Sequence, residues 1–139
     1  MPLLETDDSI RKILETARKV AVFGITKDPN KPSNFVPKAL KEKGFSLVGI
    51  NPRYAGQQIE GIKVFGSLSE VSEEIDVVLV FRRPEDLPEI VNQAELKGFR
   101  TFWMQPGTVN EAVKEDLINK GYNVVARRCM KIEAERLLR

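Results

Sequence analysis

Val20-Ala21-Val22-Phe23-Gly24-Ile25-Thr26-Lys27-Asp28-Pro29-Asn30-Lys31-Pro32-Ser33 is the stretch on which the fold turns. Four apolar residues end at a glycine, a polar loop follows, and a helical pattern opens after it. The pattern predicts a strand–turn–helix junction of an α/β protein, of the kind that can receive a phosphate at a helix N-terminus. A nicotinamide or flavin protein usually places G-x-G-x-x-G here, so that the backbone can turn, approach the pyrophosphate and pack the helix on its strand. Only the first glycine, Gly24, is present. The junction predicts a phosphate-bearing ligand other than NAD, received by Gly24, Ile25, Thr26, Lys31 and Ser33. The competing reading is a plain helix start capped by Ser33 or Asn34.

The same periodicity continues outward in both directions. Ile10, Ile13, Leu14 and Ala17 recur at helical spacing before the junction, with Asp7 or Asp8 as the expected N-cap. After it come continuous apolar runs at Phe45 to Ile50, Val77 to Phe81, Thr101 to Met104 and Val124 to Ala126, the signature of strands buried on both faces. Helical stripes separate them: Val36, Ala39 and Leu40; Leu87, Ile90, Val91 and Ala94; Val109, Ala112, Val113 and Leu117. Gly44, Gly98 and Gly121 each follow a lysine where a helix should stop. Tyr54 to Ser72 breaks the rhythm, with a short strand candidate at Lys63 to Phe65 and a capping box from Ser67 to Glu70 that predicts a short helix.

Alternating strands and helices predict an α/β, Rossmann-like three-layer sandwich with a mainly parallel five-stranded sheet. Its expected spatial order is 3-2-1-4-5, with Val77 to Phe81 as the third strand. One domain is expected over residues 1–139, with 42% hydrophobic residues to fill its core. A net charge of +2 with interspersed signs gives no footprint for nucleic acid. No apolar run approaches membrane length and no signal-peptide core is evident, so a cytoplasmic protein is expected. The composition includes no histidine and one cysteine. That excludes a Ser/His/Asp triad, His-ligated zinc and an internal disulfide, and the acidic residues show no spacing suited to acid/base work.

Ligands of such sheets lie beyond the carboxyl ends of the strands. After the second run, Asn51, Pro52 and Arg53 replace the acid that reads ribose hydroxyls with a base suited to a phosphorylated ribose, as in coenzyme A or NADP; a simple turn with Arg53 in solvent is the alternative. Phe81 and Arg82 can bracket an adenine or reach phosphate, beside Arg83 and with Pro84 placed to start a helix. Met104, Gln105 and Pro106 offer apolar surface and an amide partner to a long arm, whereas Trp103 reads as core. Cys129 reads either as a packing residue or as a thiol open to reversible exchange with a ligand disulfide.

Asp28 to Ser33, Asn51 with Pro52, Phe81 with Arg82 and Arg83, Trp103 to Gln105, and Arg128 to Glu133 together resemble the small stand-alone CoA-binding domain proteins. These are related to the N-terminal domain of the succinyl-CoA synthetase α subunit. The resemblance spans nearly the whole chain. It implies a Rossmann-like fold and coenzyme A as ligand, with phosphates near Gly24, Ile25, Thr26, Lys31 and Ser33. The nucleotide then lies between Asn51 to Arg53 and Phe81 to Arg82, and the pantetheine near Met104, Gln105 and Pro106. Family members commonly carry Asp and His where this chain has Arg127 and Ala134. The related synthetase performs its chemistry with a histidine-bearing second domain and an ATP-grasp partner. The expectation is therefore a module that binds coenzyme A or an acyl-CoA without catalysis. The alternative is an NADP-linked or acyl-CoA-processing component completed by a partner chain, and a protein partner or homo-oligomer stays open.

Overall fold

The computed structural model describes residues 3–138; residues 1, 2 and 139 of the expected domain lie outside the described residues. The elements are α1 (Asp7–Thr16), β1 (Lys19–Phe23), α2 (Pro32–Glu42), β2 (Ser46–Ile50), β3 (Gln58–Ile59), β4 (Ile62–Phe65), β5 (Val77–Val80), α3 (Leu87–Lys97), β6 (Thr101–Met104), α4 (Glu111–Asn119), β7 (Asn123–Ala126) and α5 (Met130–Leu137). The sheet has seven strands in the order β3-β4-β2-β1-β5-β6-β7. All pairs are parallel except β3 with β4.

This corrects the expected five-stranded order. The strand at Val77–Val80 pairs with β1 and β6, not with β2, and the position beside β2 belongs to β4. Ile62 and Val64 face the core while Lys63 is exposed, so β4 can serve as a half-buried outer strand whereas the fully buried β5 cannot. β3 and β4 form a hairpin with Glu60 at φ 52° and Gly61 at φ 76°. Two positive φ values in a two-residue loop match the twist of antiparallel strands. The expected short helix after Ser67 is a single 3-10 turn, Leu68–Glu70, and its capping box is formed.

Alternation along the strands divides the core in two. Val20 and Val22 face α1, α2 and α5 with Leu79, Trp103 and Val125, whereas Ala21 and Phe23 face α3 and α4 with Val78, Val80, Phe102 and Met104. Thr6, not Asp7 or Asp8, caps α1, its side chain accepting from the Ser9 N–H. Asp7 instead pairs with Arg136 of α5 at 2.6 Å.

β1 is flanked by β2, which follows it in the chain, and by β5, which the chain reaches from β4 by crossing back past β2 and β1, so the direction of winding reverses beside β1. The reversal point of the sheet is therefore the carboxyl end of β1, where the opening loop lies. Among the described residues no helix is long and apolar enough to cross a membrane.

Candidate functional site

Gly24 leaves β1 with φ +92°, a conformation other residues adopt only under strain. A Cβ at Gly24 would lie 3.0 Å from Cδ of Arg82, so glycine also lets the arginine side chain cross the loop. Ile25 points its side chain into the core over Gly49, where a Cβ would come within 2.7 Å of Ile25 Cγ2. What Ile25 can offer a ligand is its backbone.

Two buried or half-buried amides hold that backbone from opposite sides. Asn51 Nδ2 donates to the Ile25 carbonyl and Asn34 Nδ2 to the Thr26 carbonyl, both at 2.8 Å. The loop then closes on itself through Asn30 N–H to Asp28 Oδ1 at 3.0 Å and Lys31 N–H to the Asp28 carbonyl at 3.1 Å. The α2 N-terminus is not capped by Ser33 or Asn34. Lys31 occupies the cap position without a side-chain hydrogen bond, Pro32 follows it, and Asn34 is engaged with Thr26. Among the described residues, the N–H groups of Ile25 and Ser33 have no hydrogen-bond partner. A loop end that keeps donors free beside the positive pole of an 11-residue helix is suited to an anion.

Two cavities open beyond the strands, and Arg82 lines both. The smaller, about 280 Å³, lies between Gly24, Asn51, Pro52 and Gly66 on one side and Glu85, Asp86 and Glu89 on the other. The larger, about 510 Å³, runs between Lys31, Ser33 and Phe35 of α2, Phe81, Gln105 to Thr108, and Cys129 and Ile132. Arg82 is tethered by an ion pair to Asp86 at 3.2 Å, in a geometry that leaves Asp86 Oδ2 buried without a hydrogen bond. Pro84 opens the turn before α3, as the sequence predicts.

The structure thus brings Gly24, Asn51, Pro52, Arg82, Lys31, Ser33, Phe81, Gln105 and Pro106 to the two cavities. It leaves out Ile25, Thr26, Arg53 and Met104, Ile25 because its side chain is buried in the core. Met104 is wholly buried in the α3/α4 core, because it alternates with Gln105 across the sheet. Asn51 and Pro52 do form a turn, Pro52–Tyr54, with Asn51 Oδ1 accepting from the Arg53 N–H at 3.0 Å. Arg53 and Lys27 each stand 5.5 Å from the Tyr54 ring centre. The Thr26 hydrogen bond, with those two charges, holds the Tyr54 phenol below its ordinary range.

Gln105 is 3% exposed and fixed in orientation. Its Oε1 accepts the Met130 N–H at 2.8 Å, which leaves Nε2 without a protein partner at the cavity wall. Trp103 is core, as expected, and donates from Nε1 to the Arg128 carbonyl at 2.7 Å. Arg128 pairs with Glu133 at 3.0 Å, and Glu133 with Arg136 at 2.8 Å, so this motif braces the segment that carries Cys129 and Met130. Arg127 pairs with Glu111 on the surface and Ala134 is buried; neither lines either cavity.

Phe35, Glu85 and Glu89 line the cavities and were not singled out from the sequence, and Ile132, inside the Arg128 to Glu133 motif, was given no ligand role there. Phe35 left one usable signal: it is a large apolar residue off the Val36, Ala39 and Leu40 stripe of its helix. Among the described residues no cluster of His, Cys, Asp and Glu is placed to hold a metal ion.

The likeness to known proteins covers the same ground. The family described as CoA binding domain matches residues 18–135. The uncharacterized protein YneT of Bacillus subtilis is 34% identical over 123 residues, covering 88% of this chain and 90% of that protein. The structure of a hypothetical protein from Pyrococcus horikoshii superposes with TM-score 0.91 at 36% identity, covering 97% of this chain and 94% of that one. An ADP-forming acetate–CoA ligase of Methanocaldococcus jannaschii is 25% identical over 116 residues, which span 84% of this chain and 16% of the ligase. With the family match running from β1 into α5, the chain belongs to the CoA binding domain family.

Proposed function

We propose that this chain is a one-domain module that binds coenzyme A or an acyl-CoA at the carboxyl ends of its strands and catalyses no reaction of its own. The observation that carries the reading is the pair of cavities meeting at Arg82 beside the uncapped start of α2. A ligand with a nucleotide at one end, a diphosphate in the middle and an amide-bearing arm matches that sequence of environments. The nucleoside occupies the smaller cavity, where Glu85, Asp86 and Glu89 accept hydrogen bonds from hydroxyl and amino groups and repel phosphate. The diphosphate spans the Ile25 and Ser33 N–H groups with Lys31. The ribose phosphate turns outward to Arg53 and Lys27, one residue beyond Pro52. The arm enters the larger cavity, where Gln105 Nε2 donates to one of its carbonyls. The sequence contains no histidine, the commonest general base near neutral pH, which supports binding without chemistry.

Calorimetry with CoA, dephospho-CoA, NAD and NADP tests the assignment. CoA is expected to bind tightest, and dephospho-CoA more weakly by about 1.5–3 kcal/mol, the worth of a hydrogen bond to a charged group. NAD binding as tightly as CoA refutes it.

The 16% share of the acetate–CoA ligase favours one second reading, a CoA-handling component completed by another chain. Copurification with an ATP-grasp protein supports it; full occupancy by CoA with no associated chain speaks for the stand-alone module.

A further inference from the structure

Three large apolar side chains remain substantially exposed among the described residues: Phe35 at 40%, Leu96 at 91% and Ile132 at 54%. Leu96 stands alone on α3, but Phe35 and Ile132 both line the larger cavity, from helices α2 and α5 that pack against each other. Val36, Phe81 and Pro106 continue the apolar wall between them, and Cys129 lies in it half-buried. Isolated exposed apolar residues are ordinary; two that line one cavity mark a binding surface.

A bare pantetheine thiol ends in one sulfur and leaves most of that wall wet. The cavity, at about 510 Å³, lies within the ~300–1,000 Å³ span of ligand pockets. Beside Thr108, whose hydroxyl donates to the Gln105 carbonyl, the buried polar side chain in its wall is Gln105, whose Oε1 is held by the Met130 N–H and whose Nε2 has no protein partner. The group turned to the ligand is therefore a donor, and it calls for a carbonyl rather than a thiol or a carboxylic acid proton.

We infer that the larger cavity is an acyl pocket, taking the aliphatic chain of an acyl-CoA thioester between Phe35 and Ile132 with a ligand carbonyl on Gln105 Nε2. The inference rests on the coenzyme A reading above and gives it a substrate class: thioesters of aliphatic acids longer than acetate. Each methylene buried against such a wall tightens binding about fourfold.

A calorimetric series of CoA, acetyl-CoA, butyryl-CoA and hexanoyl-CoA tests it on the intact protein. Affinity is expected to climb along the series, by up to about 15-fold from butyryl to hexanoyl. Phe35→Ser and Ile132→Ser are each expected to flatten the climb. The composition includes a single cysteine, so alkylation of Cys129 gives an independent reading. Hexanoyl-CoA is expected to slow it more than acetyl-CoA at equal occupancy, neither thioester having a free thiol to consume the reagent. A flat or falling series with CoA still bound overturns the acyl pocket and leaves the CoA reading intact; no binding of CoA itself overturns both. A dimer in sedimentation that Phe35→Ser or Ile132→Ser dissociates and hexanoyl-CoA does not also overturns the pocket.

Discussion

Replacing Gly24 with alanine perturbs the site at the point where β1 ends, and two separable effects are expected. The first is backbone strain: at φ +92° an L-residue is outside its ordinary range, a cost of about 1–2 kcal/mol. The second is steric, because the new Cβ would lie 3.0 Å from Cδ and 3.4 Å from Cγ of Arg82. Arg82 is flexible and about half exposed, so it can swing away, but in doing so it lengthens its 3.2 Å pair with Asp86 and merges the two cavities. With unfolding entropy near 2.1 cal/mol/K per residue, the strain alone lowers the melting temperature by about 3–7 °C. Urea denaturation of the wild type, Gly24→Ala, Arg82→Ala and the double variant separates the two. In the Arg82→Ala background the steric part is expected to disappear and the strain to persist. A Gly24→Ala protein as stable as wild type, or one whose whole deficit vanishes without Arg82, refutes the account of why glycine stands here.

Asn51→Ala removes the 2.8 Å bond to the Ile25 carbonyl and the 3.0 Å bond from the Arg53 N–H; a loss of about 1–3 kcal/mol is expected in denaturant titrations, with weaker CoA binding from the loosened loop. Glu133→Gln breaks the bracing of Arg128 and Arg136; since both arginines are partly exposed, about 1–2 kcal/mol is expected from thermal unfolding, less than a fully buried pair forfeits. Acid should destabilise the protein in a defined window. The Arg136 hydrogen bond holds the Asp7 carboxyl, and Lys114 with Arg127 the Glu111 carboxyl, below their ordinary values of 3.8 and 4.5. Depressed carboxylates stabilise above those values and cease to as the pH falls through the lowered ones. Melts between pH 6 and pH 3 should fall below about pH 4.5, less steeply in Asp7→Asn; parallel curves for the two proteins exclude the Asp7 contribution.

The strands that carry the site were readable because Val20 to Phe23, Val77 to Val80 and Thr101 to Met104 are buried on both faces, and burial on both faces writes itself as an unbroken apolar run. Their lateral order was not. Nothing in a run of valines says on which side of β1 it lies, and a two-residue strand such as β3 is shorter than any period can reveal. Parity explains the miss at Met104: neighbours on a strand face opposite layers, and the frame is set only once α3 and α5 are in place. Thr6, Asp7 and Asp8 are all capping residue types in a row, so the choice among them fell to where the first turn closes. Phe35 and Ile132 were hidden for a different reason: an apolar residue on a helix reads as core until the fold shows it facing a cavity.

The hydrogen bond from Trp103 to the Arg128 carbonyl gives the molecule an optical handle. The composition includes one tryptophan, and it is wholly buried, with its indole N–H tied to the residue immediately before Cys129 in the wall of the larger cavity. Any ligand that shifts that wall alters the polarity and hydrogen bonding of a single emitter, while unfolding transfers the same emitter to water. One fluorophore can therefore follow both cavity occupancy and global unfolding without a label.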